Sequence, residues 1–339
     1  SATGPRMTQP QVDPNAILVA VPTLNEERYI ADTLQNLLDG ARSQMRIVVA
    51  DGGSSDATCR IVTELAQQHD NLHLIDNPDR LQSAAINKVV ADMAEPHHKI
   101  LVRVDAHSHY PPGYVLNVAQ SLTERDADGL ATVMDSVGEG CFQRGAAWAM
   151  ETKLGSGGSG HRGGATSGWV DHGHHAGFRL EMFRAVGGYD TDFVANEDAE
   201  LDHRIGAAGG RIWLDASIRL GYVMRPSLRR LALQYWRYGK GRAQTVLKHK
   251  LRPRLRQMIP PLVVLVNALA VLLAPLAPDL LLLPLAYFAI LAAMTALTLL
   301  RKRSLCALWV GPALLVMHMV WGAGFLWQVF RSKTGWGTV

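Results

Sequence analysis

Cysteine is scarce in this chain: its 339 residues include only Cys59, Cys141 and Cys306, widely scattered and without a paired metal spacing. That scarcity argues against a disulfide framework and fits a reduced compartment. No apolar signal segment opens the chain, and Ser-Ala-Thr-Gly-Pro-Arg before Met7 reads as an expression remnant. The catalytic part is therefore expected in the cytosol. There is no internal repeat. The net charge of +4 follows basic clusters beside apolar runs, so no nucleic-acid partner is expected.

Long apolar sequence, by contrast, fills the C-terminal part. From Ile259 to Leu300 the only charged residue is Asp279, and from Leu305 to Phe330 there is none. A helix needs about 20 apolar residues to cross a bilayer, so three spans are expected, at 259–277, 280–300 and 305–329. Helices buried in a soluble core would need more polar faces than these segments have. Lys248, Lys250, Arg252, Arg254 and Arg256 precede the first span, and Arg301, Lys302 and Arg303 separate the second from the third. By the positive-inside rule both clusters are cytoplasmic and the Ala-Pro-Asp turn at 277–279 is external. A third crossing puts the tail outside, against which Arg331 and Lys333 argue.

Before residue 256 the chain reads as an α/β domain. The runs Ile17–Val21 and Arg46–Ala50 each end in a polar turn and lead into a helical pattern, as in a parallel βαβ unit. The first helix carries Ile30, Leu34, Leu37 and Leu38 on one face. Strands at Leu72–Ile75 and Lys99–Val104, with a helix over Leu81–Met93 between them, extend the alternation. The pattern predicts a doubly wound sheet with ligand at the carboxyl ends of its strands. Beyond a fifth run, Gly129–Met134, lies GSGGSGHRGG at 155–164, which reads either as a linker or as a mobile loop closing over substrate. A basic-aromatic helix over Leu228–Leu247 is expected to lie along the membrane face.

Four clusters carry chemistry. VPTLNEE at 21–27 and VADGGSSDAT at 49–58 stand at strand ends, where an Asp can accept a base imide N–H and glycine lets backbone approach. These turns lack a G-x-G-x-x-G, which weakens a dinucleotide reading. Asp51 and Asp56 also read simply as turn and cap residues. In RVDAHSHY at 103–110, Asp105 and His107 are i and i+2, on one side if the chain is extended, and both can address one divalent cation. Mg²⁺ or Mn²⁺ shared with a diphosphate fits, and the imidazole favours Mn²⁺.

In NEDAELDHR at 196–204, Asp198 is expected to begin a helix and act as the single base that an inverting sugar transfer needs, with Glu197 positioning it. Acidic residues there also suit a helix dipole. In QYWRYGKGR at 234–242, basic and aromatic residues alternate in a pattern that suits phosphate, sugar or the membrane interface. His172, His174 and His175 in DHGHHAGF match no H-E-x-x-H spacing, so an acceptor-binding loop is a better reading than a zinc hydrolase.

In this order the clusters resemble those of glycosyltransferase family 2, the inverting GT-A enzymes. VPTLNEE looks like the opening strand and turn, VADGGSSDAT the base-binding segment, RVDAH the DxD motif, NEDAELDHR the ED motif and QYWRY the QxxRW motif. The likeness covers about residues 16–245. His107 departs from the second Asp of DxD, and Tyr238 from the closing Trp of QxxRW. Within the family, the Asp-Ala-His variant and short membrane tail resemble succinoglycan-type exopolysaccharide glucosyltransferases.

The resemblance implies a GT-A mixed sheet over 16–227, a basic interfacial helix region over 228–256 and membrane helices over 257–330, flanked by tails 1–15 and 331–339. It implies donor contacts from Pro22, Asn25, Glu26, Asp51, Gly52, Ser54, Gln82 and Asp105, and metal ligation by Asp105 and His107. Acceptor or diphosphate contacts are implied for His172, His174, His175, Gln234, Arg237, Tyr238, Lys240 and Arg242. The expected reaction moves glucose from UDP-glucose in a β-1,3 linkage to a polyprenyl-diphosphate-linked sugar. It takes place at the bacterial inner membrane, with the bilayer and further polysaccharide-assembly enzymes as partners. A processive synthase, another lipid-acceptor transferase, a tethered metal hydrolase and a noncatalytic sugar-nucleotide scaffold are the rival readings.

Overall fold

The computed structural model describes residues 12–40, 44–158 and 166–334. The expected expression remnant, and the Gly-rich stretch from residue 159 onward, lie outside the described residues.

The first strands are buried on both faces, which is why they read as unbroken apolar runs instead of alternating ones. Ile17 to Val21 and Ile47 to Ala50 are all fully buried. The first compact unit contains the described residues of Ser1–Met134, Gly164–Asp192 and Asp198–Gly221. Its parallel half runs β1 (Ile17–Thr23), α1 (Ile30–Gly40), β2 (Arg46–Asp51), α2 (Thr58–Ala66), β3 (Leu72–Asp76), α3 (Gln82–Met93) and β4 (Ile100–Arg103). Ile30, Leu34, Leu37 and Leu38 bury the inner face of α1, as their spacing predicts.

Next come β5 (Ser108–His109), α4 (Tyr114–Glu124), β6 (Gly129–Val137), α5 (Cys141–Glu151), α6 (Lys153–Ser156), β7 (Gly168–Val170), β8 (His174–Arg179), α7 (Leu180–Ala185), α8 (Glu197–Ala207) and β9 (Ile212–Val223). The sheet has nine strands, ordered β3-β2-β1-β4-β8-β6-β9-β5 with β7 beside β9. β8 runs antiparallel to β4, Val102 opposite Gly177, so the head of β8 lies at the carboxyl end of β4. The expected doubly wound sheet is therefore mixed: parallel from β3 to β4, with β8 antiparallel to both β4 and β6. Phe178 and Phe183 fill the core beside Leu101 and Val89.

The second compact unit contains the described residues of Asp135–Gly163, Phe193–Glu197 and Tyr222–Val339. This division does not follow the chain linearly, because α5 and α6 belong with the C-terminal helices. Those are α9 (Leu228–Lys248), α10 (Leu255–Leu273), α11 (Leu282–Lys302), α12 (Val310–Leu315) and α13 (Trp321–Thr334). Three helical stretches, Leu255–Leu273, Pro278–Lys302 and Leu305–Lys333, are long and apolar enough to cross a membrane. The third is not one regular helix: a 3₁₀ turn, Leu305–Trp309, precedes α12, and a π segment, Val316–Val320, joins α12 to α13.

Glycines inside α9 mark close packing. A Cβ on Gly239 would stand 2.0 Å from the Trp321 carbonyl oxygen, and one on Gly324 would stand 2.5 Å from that of Trp236. Helix α9 therefore lies backbone to backbone on α13, at the cost of about 1 kcal/mol that an interior glycine carries relative to alanine.

The cysteine expectation needs correction. Cys141 at the head of α5 and Cys306 in the 3₁₀ turn form a disulfide, 165 residues apart in sequence. Packing of α5 on that turn brings them together, and no local spacing could reveal it. Cys59 is free.

Candidate active site

The site lies where the parallel strands end. The backbone leaving β1 and β2 is tied into one surface: Gly52 N–H donates to Thr23 O at 2.8 Å, and Asn25 N–H to Ser54 Oγ at 2.8 Å. Asn25 has φ 57°, a left-handed conformation that Asn tolerates better than most residues. Pro22 lies opposite Ala50 in the parallel register, where it is half-buried.

Asp51 is buried and holds its own turn. Its Oδ2 accepts from Gly53 N–H at 2.9 Å and Ser54 N–H at 2.7 Å; Oδ1 accepts from the hydroxyls of Ser54 at 2.5 Å and Thr23 at 3.2 Å. Those four bonds engage both oxygens of the carboxylate. Burial opposes the charge on Asp51, but the hydrogen bonds from Ser54, Cys59 and Gly53 outweigh it and lower its pKa. The turn reading of Asp51 thus has direct geometric support. Arg80 clasps the loop from outside, its Nε donating to Gly52 O at 2.9 Å.

Asp105 follows β4. The chain is not extended there: Ser108 N–H donates back to Asp105 O at 3.2 Å, closing a turn that contains His107. The i, i+2 strand argument for pairing Asp105 with His107 therefore gives way to a turn. His107 Nδ1 lies 3.1 Å from Glu26 Oε1, which joins the β1 loop to this turn. Asp105 Oδ1 receives Gln82 Nε2 and, at 3.3 Å, Arg103 Nε. Among the described residues these side-chain contacts fall on Oδ1, which leaves Oδ2 for a cation. Burial raises the Asp105 pKa, but Arg103, His174 and His107 outweigh it and the net direction is down.

No cluster of three or more His, Cys, Asp or Glu side chains among the described residues is arranged to hold an ion alone. The carboxylate and imidazole of Asp105 and His107 suit Mn²⁺ or Mg²⁺, provided that phosphate oxygens and water complete the shell.

Asp198 stands in the first turn of α8, as expected. Its Oδ1 lies 2.6 Å from Arg103 Nη1 and 3.4 Å from His175 Nδ1. Among the described residues both contacts fall on Oδ1, and the side chain keeps 20% exposure, so Oδ2 is the oxygen able to meet a substrate. Burial works against ionisation, but Arg103 first and then His175 hold this carboxyl well below the usual range. Arg103 and His175 are the side chains in contact with Asp198, and the half-buried Glu197 precedes it at the head of α8.

Three groups absent from the expected site are central here. Arg103, 5% exposed, links Asp105, Asp198 and the Tyr189 hydroxyl, the last at 3.1 Å. Asp202 and Tyr189 hold His175. The available signal was spacing: Arg103 precedes Asp105 by two residues, and Asp202 follows Asp198 by four on one helix face. His175 is too buried to touch an acceptor directly, and His174 is also buried, whereas the His172 side chain keeps 26% exposure.

The remaining expected contacts lie in the second unit. Gln234 Nε2 donates to the hydroxyls of Tyr222 at 2.7 Å and Tyr238 at 2.8 Å, and Tyr238 O accepts from Asn196 Nδ2 at 2.8 Å. Arg237 is exposed, Lys240 and Arg242 half-buried.

The description "Glycosyl transferase family 2" belongs to the family model that matches residues 18–187. The chain belongs to glycosyltransferase family 2. It is an enzyme of the glycosyltransferase class, with the GT-A type of mixed sheet that the motif order predicts. It is 39% identical over 321 residues to the succinoglycan biosynthesis protein ExoA of Rhizobium meliloti (strain 1021), covering 94% of this chain and 96% of that protein. A second family relative is a dolichyl N-acetyl-α-D-glucosaminyl phosphate 3-β-D-2,3-diacetamido-2,3-dideoxy-β-D-glucuronosyltransferase of Methanococcus voltae. It is 24% identical, covering 69% of this chain and 75% of that protein. The fold is similar to a mannosyltransferase of Pyrobaculum calidifontis solved with GDP-Man and Mn²⁺, at a TM-score of 0.57 and 21% identity, covering 95% and 88% of the two chains.

Proposed function

We propose that the chain is an inverting hexosyltransferase of exopolysaccharide assembly that extends a polyprenyl-diphosphate-linked sugar at the cytoplasmic face of a bacterial inner membrane. Glucose from UDP-glucose, joined β-1,3, is the transfer this reading specifies. The observation that carries it is Asp198, an ionised carboxylate with one oxygen clamped and the other open, placed on α8 at the ligand end of the sheet. Likeness to a succinoglycan biosynthesis protein over nearly the whole chain supports the pathway class. The second relative, whose name specifies a lipid-phosphate sugar acceptor and a 3-β bond, supports the acceptor class.

In this reading Asp198 Oδ2 takes the proton of the acceptor hydroxyl while the acceptor oxygen attacks the anomeric carbon, and the bond to the UDP oxygen breaks with its electron pair leaving on UDP. An α-linked donor gives a β-linked product. The loops after β1 and β2 hold the nucleoside, with Asp51 bracing the turn and Pro22, Asn25, Glu26, Gly52 and Ser54 forming its surface. Gln82 orients Asp105. A divalent ion held by Asp105 and His107 would neutralise charge on the leaving diphosphate. On α9, the exposed Arg237 with Lys240 and Arg242 would bind acceptor diphosphate, while Gln234 and Tyr238 set the helix face. Three membrane-spanning helices keep enzyme and lipid acceptor in one plane, which shortens the search.

The test is incubation of membranes holding the full chain with a panel of radiolabelled nucleotide sugars, followed by lipid extraction and linkage analysis. UDP-glucose should label a lipid-linked product by one residue. Labelling from a different sugar overturns the donor assignment, and long products would instead indicate a processive synthase. Asp198→Asn should retain UDP binding and lose about 10²–10⁴-fold in rate, the usual contribution of a general base.

A further inference from the structure

Behind Asp198 lies a row of ionisable side chains that this reaction scheme leaves without a role. His175 is 1% exposed and Asp202 2% exposed, with His175 Nε2 2.6 Å from Asp202 Oδ1. The opposite ring nitrogen, Nδ1, faces the Tyr189 hydroxyl at 2.8 Å and Asp198 Oδ1 at 3.4 Å. Asp202 Oδ2 in turn meets His172 Nδ1 at 2.8 Å and the Gly173 N–H at 3.3 Å. Asp198 and Asp202 are one helical turn apart on α8, so their side chains share a face. The antiparallel β8 delivers His175 between them.

We propose that His175 and Asp202 are positioning residues for Asp198: Asp202 holds the His175 ring, and that ring with Arg103 clamps Asp198 Oδ1 so that Oδ2 meets the acceptor hydroxyl. The inference rests on the reading of Asp198 as the base. A carboxylate turns easily about its last torsion, where the energy wells are broad. The Arg103 hydrogen bond at 2.6 Å and the His175 ring at 3.4 Å both bear on that single oxygen and restrict this freedom, and a catalytic group displaced by about 1 Å can lose about 10² in rate.

The charges agree with this geometry. Burial pulls the His175 proton off, but the Asp202 and Asp198 carboxylates outweigh it and raise the ring's pKa. Facing the ring are Asp198 and Asp202 from α8, Arg103 from β4 and Tyr189 from the turn after α7, with His174 and His172 flanking it in sequence. The protonated ring donates to Asp202 and to Tyr189, and its charge faces Asp198 Oδ1 at 3.4 Å. A neutral ring loses that charge, so the clamp slackens as pH rises through the raised pKa, and transfer slows on the alkaline side.

The test is the pH profile of transfer by the full chain in detergent, from about pH 5.5 to about 10, which spans a raised histidine pKa. Wild type, Asp202→Asn, His175→Gln and Asp198→Asn are compared, with donor KM and UDP binding measured for each. Asp202→Asn should lower kcat by about 10²-fold with donor KM unchanged. Its alkaline limb should move down by about 1–3 pH units, the effect of a charge within hydrogen-bonding range. His175→Gln should abolish that limb.

An inactive Asp198→Asn beside an unmoved limb in both Asp202→Asn and His175→Gln overturns the clamp and leaves the base reading standing. An active Asp198→Asn overturns the base reading instead. If Asp202→Asn loses UDP binding because it fails to fold, the limb in His175→Gln decides alone, and its persistence is a refutation.

Discussion

Replacing Arg103 with leucine tests the electrostatic centre of the site directly. Arg103 lies 2.6 Å from Asp198 Oδ1 and 3.3 Å from Asp105 Oδ1, with side-chain exposures of 5%, 20% and 9% for the three residues. Removing one member of a buried ion pair costs about 3–5 kcal/mol, because a charge is left without its partner. Asp198 retains His175 and some solvent, and Asp105 retains Gln82, so a loss near the bottom of that range, about 3 kcal/mol, is expected. At about 2–4 °C per kcal/mol for a domain of this size, Tm should fall by roughly 6–12 °C.

The sign of the pH dependence follows from the lowered pKa values of both carboxyls. Their stabilising contribution is fully present above about pH 3.9, the ordinary Asp value, and is lost as pH falls through the lower folded values. The gap in Tm between wild type and Arg103→Leu should therefore narrow below about pH 4. Arg103→Lys, which keeps the charge without the fork, should recover part of the stability. Thermal unfolding in detergent at pH 7 and pH 3, beside transfer assays at pH 7, makes the measurement. A Tm within about 1 °C of wild type at both pH values, with full activity, would refute the role assigned to Arg103.

Chelation with EDTA should abolish transfer and added Mn²⁺ should restore it, while His107→Asp should move the preference from Mn²⁺ towards Mg²⁺, read from rates in metal titrations; activity indifferent to EDTA would sink the metal assignment. Gly239→Val should lower thermal stability by about 1–3 kcal/mol or more through overpacking against the Trp321 backbone. Gly206→Ala in α8, where an added Cβ meets nothing within 4 Å, should instead stabilise by about 0.4–1 kcal/mol. Alkylation of the denatured chain should label Cys59 alone before reduction and all three cysteines after it, read as mass shifts. Denaturation matters there, since burial and the Asp51 carboxylate push the native Cys59 thiol up to about 11 and slow its reaction.

How much of this was legible depended on the range of the interaction. β1 and β2 announced themselves because both faces are buried, and α1 because Ile30, Leu34, Leu37 and Leu38 repeat at helical spacing. The antiparallel strand β8 did not, because His174, His175 and Gly177 interrupt any apolar alternation. The place of Asp198 at a helix start was readable from its neighbours. Its clamp was not, since Arg103 and His175 come from strands 95 and 23 residues away in sequence. Glycines in YGKGR look like breaks in a helix until Trp321 is seen against Gly239 and Ala195 against Gly241. The π segment within the third apolar stretch likewise leaves no mark on hydropathy, which measures composition and not hydrogen-bond register.

The backbone contact of α9 with α13 bears on how membrane regions can be exchanged among relatives. A chimaera joined just before residue 257 would separate Gly239 from Trp321, and Cys141 from Cys306. The unit that can be transplanted intact is discontinuous: the described residues of 135–163, 193–197 and 222–339. Recombination within this architecture therefore preserves packing only where the crossover carries α5, α9 and the apolar helices together. A single cut at the start of the hydrophobic sequence leaves two incompatible surfaces.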